Sequence, residues 1–182
     1  MMTVPTTSDD TPSFEHVTVM AKEGLRALAP ERGGLYLDVT AGGGGHAAAI
    51  LMSAQNARVI AFDRDLVAVA AARKRLAPFG ERALVVHCAF SGVADWLVSA
   101  EMGQVQGLIA DLGVSSHQLA DRERGMSFRS EGPLDMRMDT TEGETARELI
   151  ERVSQDELAD IIYQLGEERR SRRVAACIKQ AL

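Results

Sequence analysis

An α/β fold built on a parallel sheet is what this sequence predicts, and three observations predict it. Strand-like and helix-like segments alternate at intervals of about twenty-five residues, the rhythm of βαβ units. The strand-like segments are continuously apolar, as expected where helices cover both faces of a sheet. The first of them ends in an acid and then a run of glycines, LDVTAGGGGHAAAI from Leu37 to Ile50. Consecutive glycines are costly to order, so four at one turn imply that something approaches the backbone closely there.

The elements follow in chain order. TVMAKEGLRALA, Thr18 to Ala29, has helical spacing and stops at Pro30. LYLDV is a short buried strand ending near Asp38, and HAAAILMSA after the glycines is a helix. RVIAFD, Arg58 to Asp63, is the second strand. DLVAVAAARKRLA is an alanine-rich helix closed by Pro78 and Gly80. RALVVHC is the third strand, SGVADWLVSAEM the next helix and QGLIADLG the fourth strand. From Val114 to about Glu144 the chain is rich in Ser, Asp, Arg, Gly and Met without periodicity, a long loop of the kind that is usually functional or disordered. TARELIERV, SQDELADIIYQLG and RSRRVAACIKQAL are helices, the second opened by a capping box of Ser154 and Glu157. The expected organisation is a tail over residues 1–15, a Rossmann-like unit over 16–113, and the loop with a helical appendage over 114–182.

Composition narrows the class. The chain has 182 residues, 46% of them hydrophobic, enough for one real core and too apolar for disorder. No apolar run reaches the ~18–20 residues of a membrane span. The first residues, MMTVPTTSDDTPS, carry no secretory pattern and read as a flexible tail. Cys88 and Cys177 stand alone, which argues against a disulfide framework or a structural zinc site; no metal is expected, and the cytoplasm is the expected compartment. The net charge of −6 argues against coating nucleic acid by bulk charge, but leaves room for a local basic patch. Arg169, Arg170, Arg172 and Arg173 are one candidate; a solvated helix face balanced by Glu167 and Glu168 is the alternative.

A glycine-rich turn between a first strand and its helix is where open α/β sheets bind nucleotide-like ligands. Asp63 lies eighteen residues after Gly45, the region from which a carboxylate reaches ribose hydroxyls. Gly42, Gly44 and Ala47 satisfy GxGxxA, so a nicotinamide (NAD-dependent) oxidoreductase stays open on this motif alone. Asp38, immediately before the turn, would repel a pyrophosphate and suits a ligand carrying a cation. S-adenosylmethionine, with an ammonium and a sulfonium beside adenosine, fits that requirement better.

Three further stretches are more specific: DLGVSSHQL from Asp111, RGMSFRSEGPLDMRMD from Arg124 and GEERRSRRVAACI from Gly166. With LDVTAGGGGH they resemble the bacterial RsmH (MraW) family, S-adenosylmethionine-dependent methyltransferases of cytosine N4 in 16S ribosomal RNA of the small subunit. The likeness runs from about His16 to the C-terminus. It implies a methyltransferase-type sheet with a helical domain inserted after the fourth strand. It also implies that Gly44, Gly45 and His46 line the methionine end of the cofactor, Asp63 holds the ribose, Phe90 sits beside the adenine, and Asp111 and Gln118 complete the pocket. Taken alone, Phe90 reads as a core residue and His46 as a helix-start residue. Asp111 is the candidate for accepting hydrogen bonds from the reacting amine, and Arg122, Arg124, Arg129 and Arg137 are candidates for RNA phosphates, with pairing to Asp121, Glu123, Glu131 and Asp135 as the alternative. Val39, Ala47 and His117 stand where the family usually has Gly, Ser and Pro. The family continues well past this length, so the far side of the sheet is expected to be missing, leaving an apolar edge open to association, a homodimer included. A shortened, non-catalytic module that binds cofactor or RNA is therefore the other reading.

Overall fold

Four parallel strands, β1 Gly34–Asp38, β2 Ala57–Asp63, β3 Ala83–His87 and β4 Val105–Ile109, form one sheet in the order β3-β2-β1-β4. The structure is a computed structural model that describes residues 18–182; the expected N-terminal tail lies outside the described residues. In the register of the sheet Asp38 stands opposite Ala61 on β2 and Ile109 on β4, and Asp63 stands opposite His87 on β3. The carboxyl ends of β1 and β2, and the segment that leaves β4, are thereby brought to one edge.

On one face lie α1 (Ala21–Leu28), α2 (Gly45–Ser53) and α3 (Leu66–Leu76). Alanines at 47, 48, 61 and 72 let these helices approach the sheet closely, and Ile50, Leu51, Val59, Val69 and Leu76 fill the space between. Tyr36 is buried here, and its hydroxyl donates to the carbonyl of Gly33 at 3.2 Å, which removes the cost of an unpaired buried O–H. On the other face α4 (Val93–Ser99) covers Leu37, Val39, Ile60 and Phe62. Phe62 and Trp96 meet edge to face, centroids 5.2 Å apart, a geometry worth roughly 0.5–1.5 kcal/mol beyond burial.

The expectation of strands covered on both faces holds for β1 and β2 but not for the outer strands. Leu84 on β3 and Leu108 on β4 are about half exposed, and burial alternates along β4. The reason is architectural: on the second face, among the described residues, α4 is the one helix packed against the sheet, so its outer positions stay open.

The chain divides after Gly113, and Val114–Leu182 forms a unit of its own. In it α6 (Ala146–Arg152), α7 (Gln155–Gly166) and α8 (Ser171–Ala181) enclose a small core of Val153, Leu158, Ala159 and Ala175, with Ile150, Ile162 and Ile178 packed against it. Thr145 with Glu148, and Ser154 with Glu157, close capping boxes that satisfy two orphan N–H groups at each helix start. The Lys179 ammonium donates to the carbonyls of Ile150 and Val153 near the end of α6.

The stretch expected to be an irregular loop is more ordered than its composition suggested. It contains a short helix, α5 (Ser116–Ala120), and a 3₁₀ turn at Arg122–Arg124. Polar staples replace an apolar core. Arg124 is buried, its guanidinium donating to the carbonyl of Met138 at 2.6 Å and lying 3.6 Å from Asp121. Arg137 clasps Asp135 with two parallel bonds of 2.9 and 2.8 Å and also reaches the carbonyl of Gly143. Gly125 sits at φ 62°, where a Cβ would overlap the carbonyl oxygen of Pro133. Periodicity cannot reveal such a segment, because nothing in it repeats. Among the described residues, no helix is long and apolar enough to cross a membrane.

Candidate ligand-binding site

The site is built on the carboxyl edge of the sheet, where β1 gives way to the glycine turn. Asp38 is fully buried; its Oδ1 accepts from the Thr40 N–H at 3.2 Å, while its Oδ2 has no hydrogen-bond partner. Burial pushes its carboxyl up from 3.8 to about 7, with the nearby Asp63 and Asp111 carboxylates pushing the same way. The turn then crosses toward β2. The Ala41 N–H donates to the carbonyl of Phe62 at 2.8 Å, and the Gly42 N–H donates to Asp63 Oδ2 at 2.7 Å. Gly42 at φ 50° and Gly44 at φ 75° adopt the left-handed conformation that glycine tolerates best. Gly44 also faces the Cα of Ala72 on α3, and a Cβ on Gly45 would overlap the Thr18 hydroxyl. The bareness of the turn is thus required twice, by its dihedrals and by close packing.

Asp63 accepts a second bond, from the Asp65 N–H to Oδ1 at 2.9 Å, and Asp65 in turn caps α3. Burial raises the Asp63 carboxyl as well, against the lowering effect of these amide donors. Each carboxylate oxygen has two lone pairs, so capacity to accept from a ligand hydroxyl remains. Asp111 lies two residues beyond β4. Its N–H donates to Thr40 Oγ1 at 2.7 Å, and its partly exposed Oδ2 stands 3.7 Å from His46 Nε2 on the buried first turn of α2.

The structure therefore brings Gly44, Gly45, His46, Asp63 and Asp111 to one edge. Phe90 opens the 3₁₀ turn Phe90–Gly92 that follows β3 on that same edge, and its ring is more than half exposed, not part of the core. Gln118 belongs to the second unit. It is buried, and its Oε1 accepts from the Ser115 N–H at 2.9 Å while its own N–H donates to Ser115 Oγ, the capping box of α5. Val39 and Ala47, which depart from the family pattern, are both absorbed into the cores. Of the arginines read as RNA contacts, Arg124 and Arg137 are structural staples, while Arg122 and Arg129 are exposed. Arg172 is drawn to Asp160 at 2.9 Å and to Asp156 on α7, which neutralises part of the basic cluster.

Sequence reasoning missed four participants. Thr40 tethers the Asp111 backbone across 71 residues, and no local signal announces it. Asp65 as the cap of α3 was legible, since an acid directly precedes LVAVAAA. The Ser115–Gln118 box was also legible by its spacing. Phe128, fully exposed between Ser127 and Arg129, stands out only in three dimensions.

The donor set decides what the edge can hold. Three carboxylates, one of them with an orphaned buried oxygen, suit a ligand bearing positive charge and hydroxyls, and disfavour a pyrophosphate. A parallel sheet with a glycine turn after β1 and a carboxylate closing β2 defines the Rossmann-like class of α/β proteins. Within that class the chain belongs to the MraW methylase family, whose model matches residues 13–181. It is 59% identical over 167 residues to the ribosomal RNA small subunit methyltransferase H of Sorangium cellulosum, covering 92% of this chain and 53% of that protein. The proteins of the same name in Geobacter sp. strain M21 and Prochlorococcus marinus are 47% and 46% identical, with 92% and 93% of this chain and 54% and 56% of theirs covered. The chain spans about half the length of the curated relatives it matches.

Proposed function

We propose that this chain carries the cofactor-binding half of an S-adenosylmethionine-dependent methyltransferase that modifies the exocyclic N4 amine of a cytosine in small-subunit ribosomal RNA. The observation that carries the reading is the glycine turn tied to Asp63, in a chain whose relatives are named ribosomal RNA small subunit methyltransferases. Family membership favours methyl transfer over the hydride transfer that GxGxxA left open.

When bound, S-adenosylmethionine supplies an electrophilic methyl group on sulfonium. Gly44, Gly45 and His46 would hold its amino-acid end, Asp63 its ribose hydroxyls and Phe90 the face of its adenine. Asp111 is the residue proposed to meet the acceptor. The cytosine N4 lone pair is conjugated with the ring, so that nitrogen is a weak nucleophile. Asp111 Oδ1 and Oδ2, accepting hydrogen bonds from the N4–H groups, would favour pyramidalisation and stabilise the positive charge that develops there. The same carboxylate would take the proton that the methylated nitrogen loses. Thr40, through its bond to the Asp111 N–H, fixes where that carboxylate starts. The base has to leave its stack to be reached. Exposed Arg122 and Arg129 suit phosphates, and the open ring of Phe128 suits base stacking.

Two measurements test this. Calorimetry with S-adenosylmethionine and NAD should show binding of the first alone, and Asp63→Ala should weaken it by about a hundredfold, having lost both the ribose acceptor and the anchor of Gly42. Binding of NAD alone overturns the cofactor. Incubation of the chain with methyl-labelled cofactor and small ribosomal subunits lacking the modification should label cytosine N4. Label on another base overturns the substrate, and cofactor binding without label shows that the 182 residues bind but do not turn over.

A further inference from the structure

Asp38 lies at the floor of the proposed site, yet none of the roles above uses it. It is 0% exposed, and its Oδ2 is the one buried side-chain oxygen or nitrogen among the described residues without a hydrogen-bond partner. An ionised carboxylate in that position would leave an unsolvated charge. The ionisable groups that face it make matters worse: Asp63 from β2 and Asp111 from beyond β4 are both carboxylates, and His46 on α2 is already drawn toward Asp111. The Thr40 and Ala47 amides offset part of this, but Asp63 is only partly buried and Asp111 is open to solvent, whereas Asp38 is sealed with one oxygen orphaned, so it is the member of the trio least able to carry charge.

We infer that Asp38 holds a proton while no ligand is bound, and releases it to solvent when a cationic ligand seats on the glycine turn. The inference rests on the reading of this edge as the seat of a sulfonium-bearing cofactor. The step balances simply: the Asp38 O–H bond breaks, the proton passes to the buffer, and the carboxylate left behind faces the arriving positive charge. An opposite charge within about 4–6 Å lowers a carboxyl pKa by about one to three units. Since burial holds the free carboxyl at about 7, a neutral solution keeps it near half protonation, and the exchange is largest at pH values between that midpoint and the lower one of the bound state. Because Asp38 is buried beneath the turn, it acts through the field at the site rather than by touching the reacting atoms. It is a positioning residue that couples cofactor affinity to pH.

The test is calorimetric titration of the full chain with S-adenosylmethionine in two buffers of different ionisation enthalpy. About half a proton should be released per ligand near pH 7 and close to none near pH 9, and affinity should fall as pH drops below 7, approaching tenfold per unit. Asp38→Asn should abolish the release and flatten the pH profile, while His46→Gln should keep the release even where it weakens binding. Binding with no proton release, or release that persists in Asp38→Asn, overturns the inference and leaves the proposed function standing. Absence of any binding overturns that function, and the release step with it. Should Asp38→Asn fail to fold, a carbon-13 carboxyl titration of the ligand-free wild-type chain decides. An aspartate with a midpoint near 7 is expected, and no aspartate titrating above about pH 5 would sink the idea.

Discussion

The carboxylates of the two units behave in opposite ways. In the sheet unit, burial pushes Asp38 and Asp63 upward. In the helical unit, hydrogen bonds and arginines pull Asp135, Glu144, Glu148 and Glu157 below their ordinary values. The second group builds structure: Glu148 and Glu157 close capping boxes, Asp135 holds Arg137, and Glu144 holds Arg152. The first group opposes it, because an acid kept out of water without full pairing destabilises the folded state once ionised. Residues of one chemistry thus serve stability in one unit and stand at the proposed site in the other, and the difference lies in solvent and partners rather than in sequence.

The largest expected effect breaks the site directly. Gly44→Val forces a β-branched residue into a left-handed backbone against the Cα of Ala72. It should cost the sheet unit roughly 3 kcal/mol, read from denaturant unfolding followed by the lone tryptophan, Trp96. An unchanged midpoint would show that the turn has other conformations open to it.

Next comes Asp38→Asn, which sharpens the contrast because it should stabilise. The folded-state pKa of Asp38, about 7, lies above its ordinary 3.8. Its contribution is therefore fully present below about pH 4 and is lost as pH rises through 7. At pH 8 the neutral amide should gain ~2 kcal/mol, after a deduction for the amide N–H pair left short of acceptors. The helical unit has the reverse sign: its lowered carboxylates contribute fully above their ordinary pKa values and lose that contribution as pH falls through the lower folded values. Mild acid should accordingly raise the Trp96 transition, and only stronger acid should melt α6–α8, seen as lost helical circular dichroism. Both signals falling together from neutral pH would contradict the comparison.

Smaller still is Ser154→Ala, which removes the cap of α7 and should cost ~1 kcal/mol without altering cofactor affinity. Arg152→Ala comes last. Its pair with Glu144 is short, but both side chains are largely open to water, so thermal unfolding should not move measurably.

Particular residues show how much could be read in advance. The alternation that builds β1 to β4, the glycine turn and Asp63 were legible because apolar period, φ tolerance and spacing are local properties of a chain. The caps at Ser154 and Asp65 are local too. Arg124 was legible only in part: the sequence offered it either to phosphates or to nearby carboxylates, and folding decided for the second, placing it against Asp121 and the carbonyl of Met138, inside the loop it now staples. Phe90 erred in the opposite direction, an aromatic that reads alone as core and stands exposed at the strand ends. Thr40 carried no signal whatever until the β1–β4 register brought Asp111 to it.

What the sequence determined by itself was the class of fold, the turn on which a ligand can rest and the family to which these motifs point, since each depends on neighbours a few residues away. What only the tertiary structure decided was which carboxylate is sealed from water, which arginines are spent on the fold and which ring stays open. Those are matters of dielectric and partnership, set by strands and helices that meet across tens of residues, and no local pattern contains them.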